Sequence, residues 1–111
     1  MGDYQMFEVI TCHNESISCL KLSGELDIST VEKFRLGIES IPETSTEVHL
    51  DFSCVEFVDS TSIGNLVQVM NQMRAQGVKV MVKRIPKEIY EVFDLLGIPE
   101  LIGEEYFECL I

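Results

Sequence analysis

Basic residues are scarce in this chain: eight Lys and Arg stand against nineteen Asp and Glu, a formal charge of -11. Such a surface repels phosphate backbones and anionic lipids over about a Debye length, ~8 Å in physiological salt. Nucleic acid is thereby excluded as a natural partner. A partner with a basic surface is favoured, beside the plainer reading that the charge keeps a small domain soluble. Long apolar runs are also missing. None approaches the ~18 residues of a membrane span, and the opening MGDYQMFEV has neither the basic nor the apolar region of a signal peptide, so the expectation is a cytoplasmic protein without direct membrane insertion. Myristoylation is disfavoured because Met6 stands where that motif requires Ser or Thr.

The chain has four cysteines without a C-x-x-C spacing and only two histidines, His13 and His49, far apart in sequence, which argues against a zinc site and against thiol-redox chemistry. Cys19 and Cys54 lie in apolar stretches, where a reduced cysteine acts as a small hydrophobe. No Walker A loop and no G-x-G-x-x-G occurs, so nucleotide binding has no support. Asp27, Asp51 and Asp59 sit near the ends of predicted elements, but helix caps and solvated loops account for them as well as a cation would. The expectation is no metal and no cofactor.

What the chain does possess is a clear alternation of strand and helix patterns. Its 111 residues, 46% of them hydrophobic, suit a single domain over 1–111 with a real core. Met6–Ile10 and Ile17–Leu22 read as a hairpin about the turn formers of CHNES. Val31, Phe34, Ile38 and Ile41 then follow a helical face, predicting a helix from about Thr30 to Ile41, with Ser29 and Glu32 as its capping box. Val48, Leu50 and Phe52 alternate as a strand. Ile63, Leu66, Val67, Met70 and Met73 form the stripe of a second helix ending at Gly77. VKVMVKR is a Val-rich strand. A third helix follows from Pro86 to Leu96, closed by Gly97 and Pro99, and YFECLI suits a last strand. The order ββαβαβα(β) implies a mostly parallel mixed sheet of four to five strands flanked by helices, an α/β fold opening on an antiparallel hairpin.

Between the Phe52 strand and the second helix lies DSTS, residues 59–62. Asp59 or Ser60 would accept from free N–H groups of the first helical turn, a contribution of roughly 1 kcal/mol. The same helix start is an anion site, so a phosphate on Ser60 would be tolerated while adding a charge of about -1.5 to -2 to the surface. Chemistry alone leaves cap and switch equally open. Ser60 as a hydrolytic nucleophile would need a histidine base, and neither His13 nor His49 stands in a suggestive motif.

The stretch VHLDFSCVEFVDSTSIGNLVQVM resembles the signature of the STAS domain, the family of bacterial anti-sigma factor antagonists. LSGELDIST is similar to the family's acidic segment after the second strand, and VFDLLGIPELI to its last helix and turn. The resemblance implies a STAS-like fold, no enzymatic activity, and partner switching. In that scheme the protein binds a serine kinase that serves as an anti-sigma factor, is released when the kinase phosphorylates the motif serine, and is reset by a PP2C-type phosphatase. By position the phosphorylated serine is Ser60, and the partner-binding residues are Asp27, Asp59, Ser60, Thr61, Ser62 and Gly64. One position departs: Ser62 stands where the family usually has the motif's first glycine, crowding Ser60 and offering a second hydroxyl. The alternative within the same family is a constitutive adaptor docked on a membrane transporter or other complex, with DSTS as cap and docking point.

Overall fold

The structure is a computed structural model and describes residues 7–110. β1 (Glu8–Asn14) and β2 (Ile17–Leu26) form the antiparallel hairpin, and α1 spans Val31–Glu39. They are followed by β3 (Glu47–Val58), α2 (Ser60–Ala75), β4 (Lys79–Ile85), α3 (Lys87–Leu95), a short α4 (Ile98–Ile102), one 3₁₀ turn (Glu104–Tyr106) and β5 (Phe107–Cys109). The strands lie in the order β1-β2-β3-β4-β5, and every pairing after the hairpin is parallel. The expected mixed sheet flanked by helices is what forms. Met6 and Ile111, the outer ends of two predicted strands, fall outside the described residues.

One face of the sheet holds the core. Leu20 and Leu22 of β2, Val48, Leu50 and Phe52 of β3, and Val80 and Val82 of β4 are buried, and the helices contribute Phe34, Ile63, Leu66, Met70, Ile89 and Phe93 to the same cluster. Phe93 ties α3 to two strands of the sheet, its ring meeting Phe52 of β3 at 6.0 Å and Phe107 of β5 at 5.8 Å between centroids, both edge-on. Gly37 lets α1 approach the hairpin: a Cβ there would come within 2.8 Å of a Val9 methyl.

β3 is longer than its alternation indicates. Strict period two holds from Val48 to Phe52 and then fails, because the pairing with β2 shifts twice: β3 advances from Asp51 to Cys54 while β2 moves only from Lys21 to Ser23, and from Val55 to Phe57 while β2 moves one residue from Gly24. Each extra residue resets which parity faces inward. After the first shift the odd position Val55 is therefore buried, after the second the even position Val58 is buried again, and Cys54 is exposed, against the expectation of a buried small hydrophobe.

The first helix is also corrected. It begins at Val31 and ends at Glu39, and Ser29 and Glu32 form no capping box. The Ser29 hydroxyl instead donates to Asp27 Oδ1 at 2.7 Å, and Glu32 pairs with Arg35 at 3.0 Å. An Asx turn at Asp27 competes successfully for the serine that the S-x-x-E spacing assigned to the helix.

Candidate functional site

Parallel pairing brings the C-terminal ends of β2 and β3 side by side, with Leu26 opposite Val58. The segments leaving those strands, Asp27–Thr30 and Asp59–Ser62, consequently share one end of the sheet, where ligand sites of open α/β sheets commonly lie. Asp59 joins them. Its Oδ1 accepts from the Ser62 amide at 2.8 Å, capping α2, and its Oδ2 accepts from the Ile28 amide of the neighbouring loop at 3.0 Å. A single carboxylate thus fixes two loops relative to each other.

Ser62 completes the cap. Its hydroxyl accepts from the Asp59 amide at 3.2 Å and donates to the Asp59 carbonyl at 2.9 Å, a reciprocal capping box with serine at the third helical position. The residue is fully buried. This corrects the expectation of a rival hydroxyl crowding the site and of a partner-contacting side chain: Ser62 faces inward and serves the fold. The glycine-to-serine departure has become an additional bond between strand end and helix.

With Asp59 and Ser62 supplying the cap, Ser60 and Thr61 have no structural duty. Both are exposed, and among the described residues no protein group hydrogen-bonds either hydroxyl. Gly64, one turn beyond Ser60, is exposed too, and a Cβ there would meet nothing within 4 Å. No neighbour in the chain requires glycine at that place; it leaves the helix surface bare beside Ser60.

Asp27 organises the other loop. Its carboxylate accepts from the Ser29 amide at 2.9 Å and from the Ser29 hydroxyl, and these bonds hold its pKa below the ordinary value despite the opposing effect of desolvation. Thr30, buried, donates its hydroxyl to the Glu25 carbonyl at 2.7 Å and accepts from the Asp27 amide at 3.0 Å, closing the loop from below. The structure therefore brings together Asp27, Asp59, Ser60, Thr61 and Gly64 at one end of the sheet and withdraws Ser62 into its support.

Two features of this surface were not anticipated. Ile28 projects from the loop with 70% of its surface exposed, next to the carboxylate that holds its amide. The other is that α2 carries no charged residue from Ser60 to Met73, so its exposed strip, Ser60, Thr61, Gly64 and Gln68, is neutral in a chain of charge -11. The neutral run was legible in the sequence; the exposure of Ile28 was not, since an apolar residue after LD reads equally well as core.

A histidine base is out of reach. His49 lies nine residues before Val58 on β3, on the order of 30 Å along the strand from the start of α2. It hydrogen-bonds Glu47 at 2.5 Å, which lowers the Glu47 pKa. His13 occupies the same far end, bonded at 2.9 Å to Ser18, whose hydroxyl meets that of Ser45 at 2.6 Å. Ser60 is accordingly an exposed hydroxyl at a helix start rather than an activated nucleophile.

The site is thus an exposed serine set beside an aspartate cap, at the shared end of β2 and β3 in a mixed sheet. The STAS domain family model matches residues 8–108, and the chain belongs to that family. It is 21% identical over 89 residues to an anti-sigma-B factor antagonist of Bacillus subtilis, covering 80% of this chain and 82% of that protein. An anti-sigma-B factor antagonist of Staphylococcus epidermidis is 25% identical over 84 residues, 75% of this chain and 78% of its own. In fold, the chain resembles a sulfate transporter family protein from Wolinella succinogenes with a TM-score of 0.77 at 17% identity, covering 90% and 82% of the two chains. It likewise resembles the anti-sigma factor antagonist SpoIIAA in its unphosphorylated form, with a TM-score of 0.70 at 19% identity, covering 94% and 88%. Among the described residues no helix is long and apolar enough to cross a membrane.

Proposed function

We propose that the chain is a cytoplasmic anti-sigma factor antagonist governed by phosphorylation of Ser60. Unphosphorylated, it binds a serine kinase that also acts as an anti-sigma factor; phosphorylation releases it, and a PP2C-type phosphatase restores binding. In this reading it is a regulated ligand, without a cofactor and without catalysis of its own. Asp27, Ile28, Asp59, Ser60, Thr61 and Gly64 make the contact surface, and Ser62 supports it.

The observation that carries the reading is the division of labour at the start of α2. Asp59 and Ser62 hold the cap, so the Ser60 hydroxyl is free, exposed and set on a neutral helix strip. A phosphate of about -1.5 to -2 charge at that place is accepted by the helix N-terminus and costs the fold little. On a surface matched to an uncharged helix strip, the same charge and bulk oppose the partner directly. The names of the curated relatives support the antagonist role.

Intact-mass and fragment-mass spectrometry of the protein from its own cells tests the proposal. One phosphate on Ser60 under some growth condition is the expected result. A chain that is unmodified under all conditions and still co-purifies with one partner would replace the switch with the constitutive adaptor, a reading favoured by the fold likeness to a sulfate transporter family protein.

A further inference from the structure

The sheet face turned away from the helices carries two rows of side chains that Ser60 signalling does not use. Register sets Ile10, Lys21, Asp51 and Lys83 side by side in one row and Cys12, Cys19, His49 and Met81 in the next. Between the rows is a hollow of about 240 Å³, lined by side chains of both and by Arg84.

Its charge is opposite to that of the protein. Regular alternation would turn Lys83 outward and Arg84 inward. The β4–β5 pairing instead shifts between Val82 and Ile85, and Arg84 takes a φ of 58°, a backbone region that non-glycine residues seldom enter. Ile85 then returns to the core and both cations line the hollow. Lys21, Lys83 and Arg84 face one carboxylate, Asp51, which lies 3.8 Å from Arg84 and accepts from the Ser53 amide at 2.9 Å. Glu47 borders the next row but is held by His49.

The hollow also contains two free thiols. Cys12 and Cys19 are direct partners across the hairpin, Cys12 exposed and Cys19 half-buried. Counting from the two-residue turn, Asn14–Ile17 is a hydrogen-bonded pair, so Cys12–Cys19, two steps on, is another, with Cα atoms about 5.5 Å apart. That separation lies within disulfide range, whereas the Cβ separation of such pairs, at the upper end of about 4.5–5.5 Å, exceeds the usual ~3.8 Å. A bridge forms only by drawing the strands together, and a strained bridge is readily reduced again.

We propose that this hollow is a thiol–disulfide exchange site for small carboxylate-bearing disulfides of the oxidised-glutathione class, with Cys12 and Cys19 as the reacting pair and Lys21, Lys83 and Arg84 receiving the carboxylates. The Cys12 thiolate attacks one sulfur of the disulfide; that S–S bond breaks, and the departing thiolate takes up the proton that Cys12 released. Cys19 then attacks the Cys12 sulfur, forms the Cys12–Cys19 bridge and releases the second thiol. Two protein thiols lose two electrons and two protons, and the small disulfide gains them as two thiols. The reaction sits at the hairpin side of the sheet and is independent of Ser60.

The test treats the reduced full chain with oxidised glutathione and, separately, with cystamine, a cationic disulfide. Adducts and bridges are mapped by peptide mass spectrometry, and the exposed Cys54 serves as internal reference. Relative to Cys54, Cys12 should react about tenfold faster with oxidised glutathione than with cystamine at low salt, and high salt or the Lys21→Gln/Lys83→Gln pair should remove the preference. Wild type should end as the Cys12–Cys19 bridge, and Cys19→Ser should stop at the mixed disulfide on Cys12. Reaction at Cys54 as fast as at Cys12, a preference for cystamine, or an unbridged wild type would overturn the proposal.

Discussion

Removing the Asp59 carboxylate should loosen the site and the fold together, by an amount that the geometry sets. Asp59→Ala deletes the cap bond from the Ser62 amide, worth about 1 kcal/mol, and the bond from the Ile28 amide, worth about another 1 kcal/mol. The sum is about 2 kcal/mol. With an unfolding entropy of ~2.1 cal/mol/K per residue over 111 residues, or about 0.23 kcal/mol/K, the melting temperature should fall by about 8–9 °C. Asp59→Asn separates the two contributions. Its amide oxygen still accepts from Ser62, while its NH₂ group turns a donor toward the Ile28 N–H, so about half the loss should remain. Urea unfolding monitored by circular dichroism reads both variants, with the midpoint moving and the slope unchanged. A loss near zero for Asn would refute the claim that Asp59 ties the two loops, and equal losses for Ala and Asn, or a loss below about 0.5 kcal/mol for Ala, would refute its role as cap.

Three further outcomes are expected. Ser60→Asp should weaken binding to the kinase-type partner, measured by calorimetry, while leaving thermal stability within about 0.5 kcal/mol, since an acid is welcome at a helix start; unchanged affinity would remove the charge switch. Leu66→Ala should cost about 2–5 kcal/mol in urea unfolding, because the side chain is almost completely buried beneath α2; a neutral result would reassign that face. The lowered pKa of Asp27 means that its contribution to stability is present above the ordinary carboxylate value of ~4 and is lost as pH falls through the lower folded value. Asp27→Asn should therefore destabilise at neutral pH and lose less than wild type on acidification below about pH 4, a comparison made by urea titration at both pH values.

Much of this molecule was determined by sequence alone. Periodicity assigned the three longer helices and the order of strands, because helical spacing and strand alternation are imposed by the hydrophobic core on one side of every element; the short α4, with Pro99 in its first turn, lies where the sequence was read only as the close of the third helix. DSTS located the helix start and Ser60 by residue number. What the sequence left open turned on competition among local hydrogen bonds and on register. Ser29 could cap a helix or close an Asx turn on Asp27, and the turn prevailed. Ser62 could face solvent or fold back on Asp59, and the full burial of its hydroxyl decided its role. The bulges of β3 and β4 were invisible to pattern, since one inserted residue reverses every later assignment of inside and outside; they expose Cys54 and turn Lys83 and Arg84 to the same side. Tertiary structure alone places Ile28 against Asp59 and Cys12 against Cys19, since both contacts depend on which strands lie side by side and in what register.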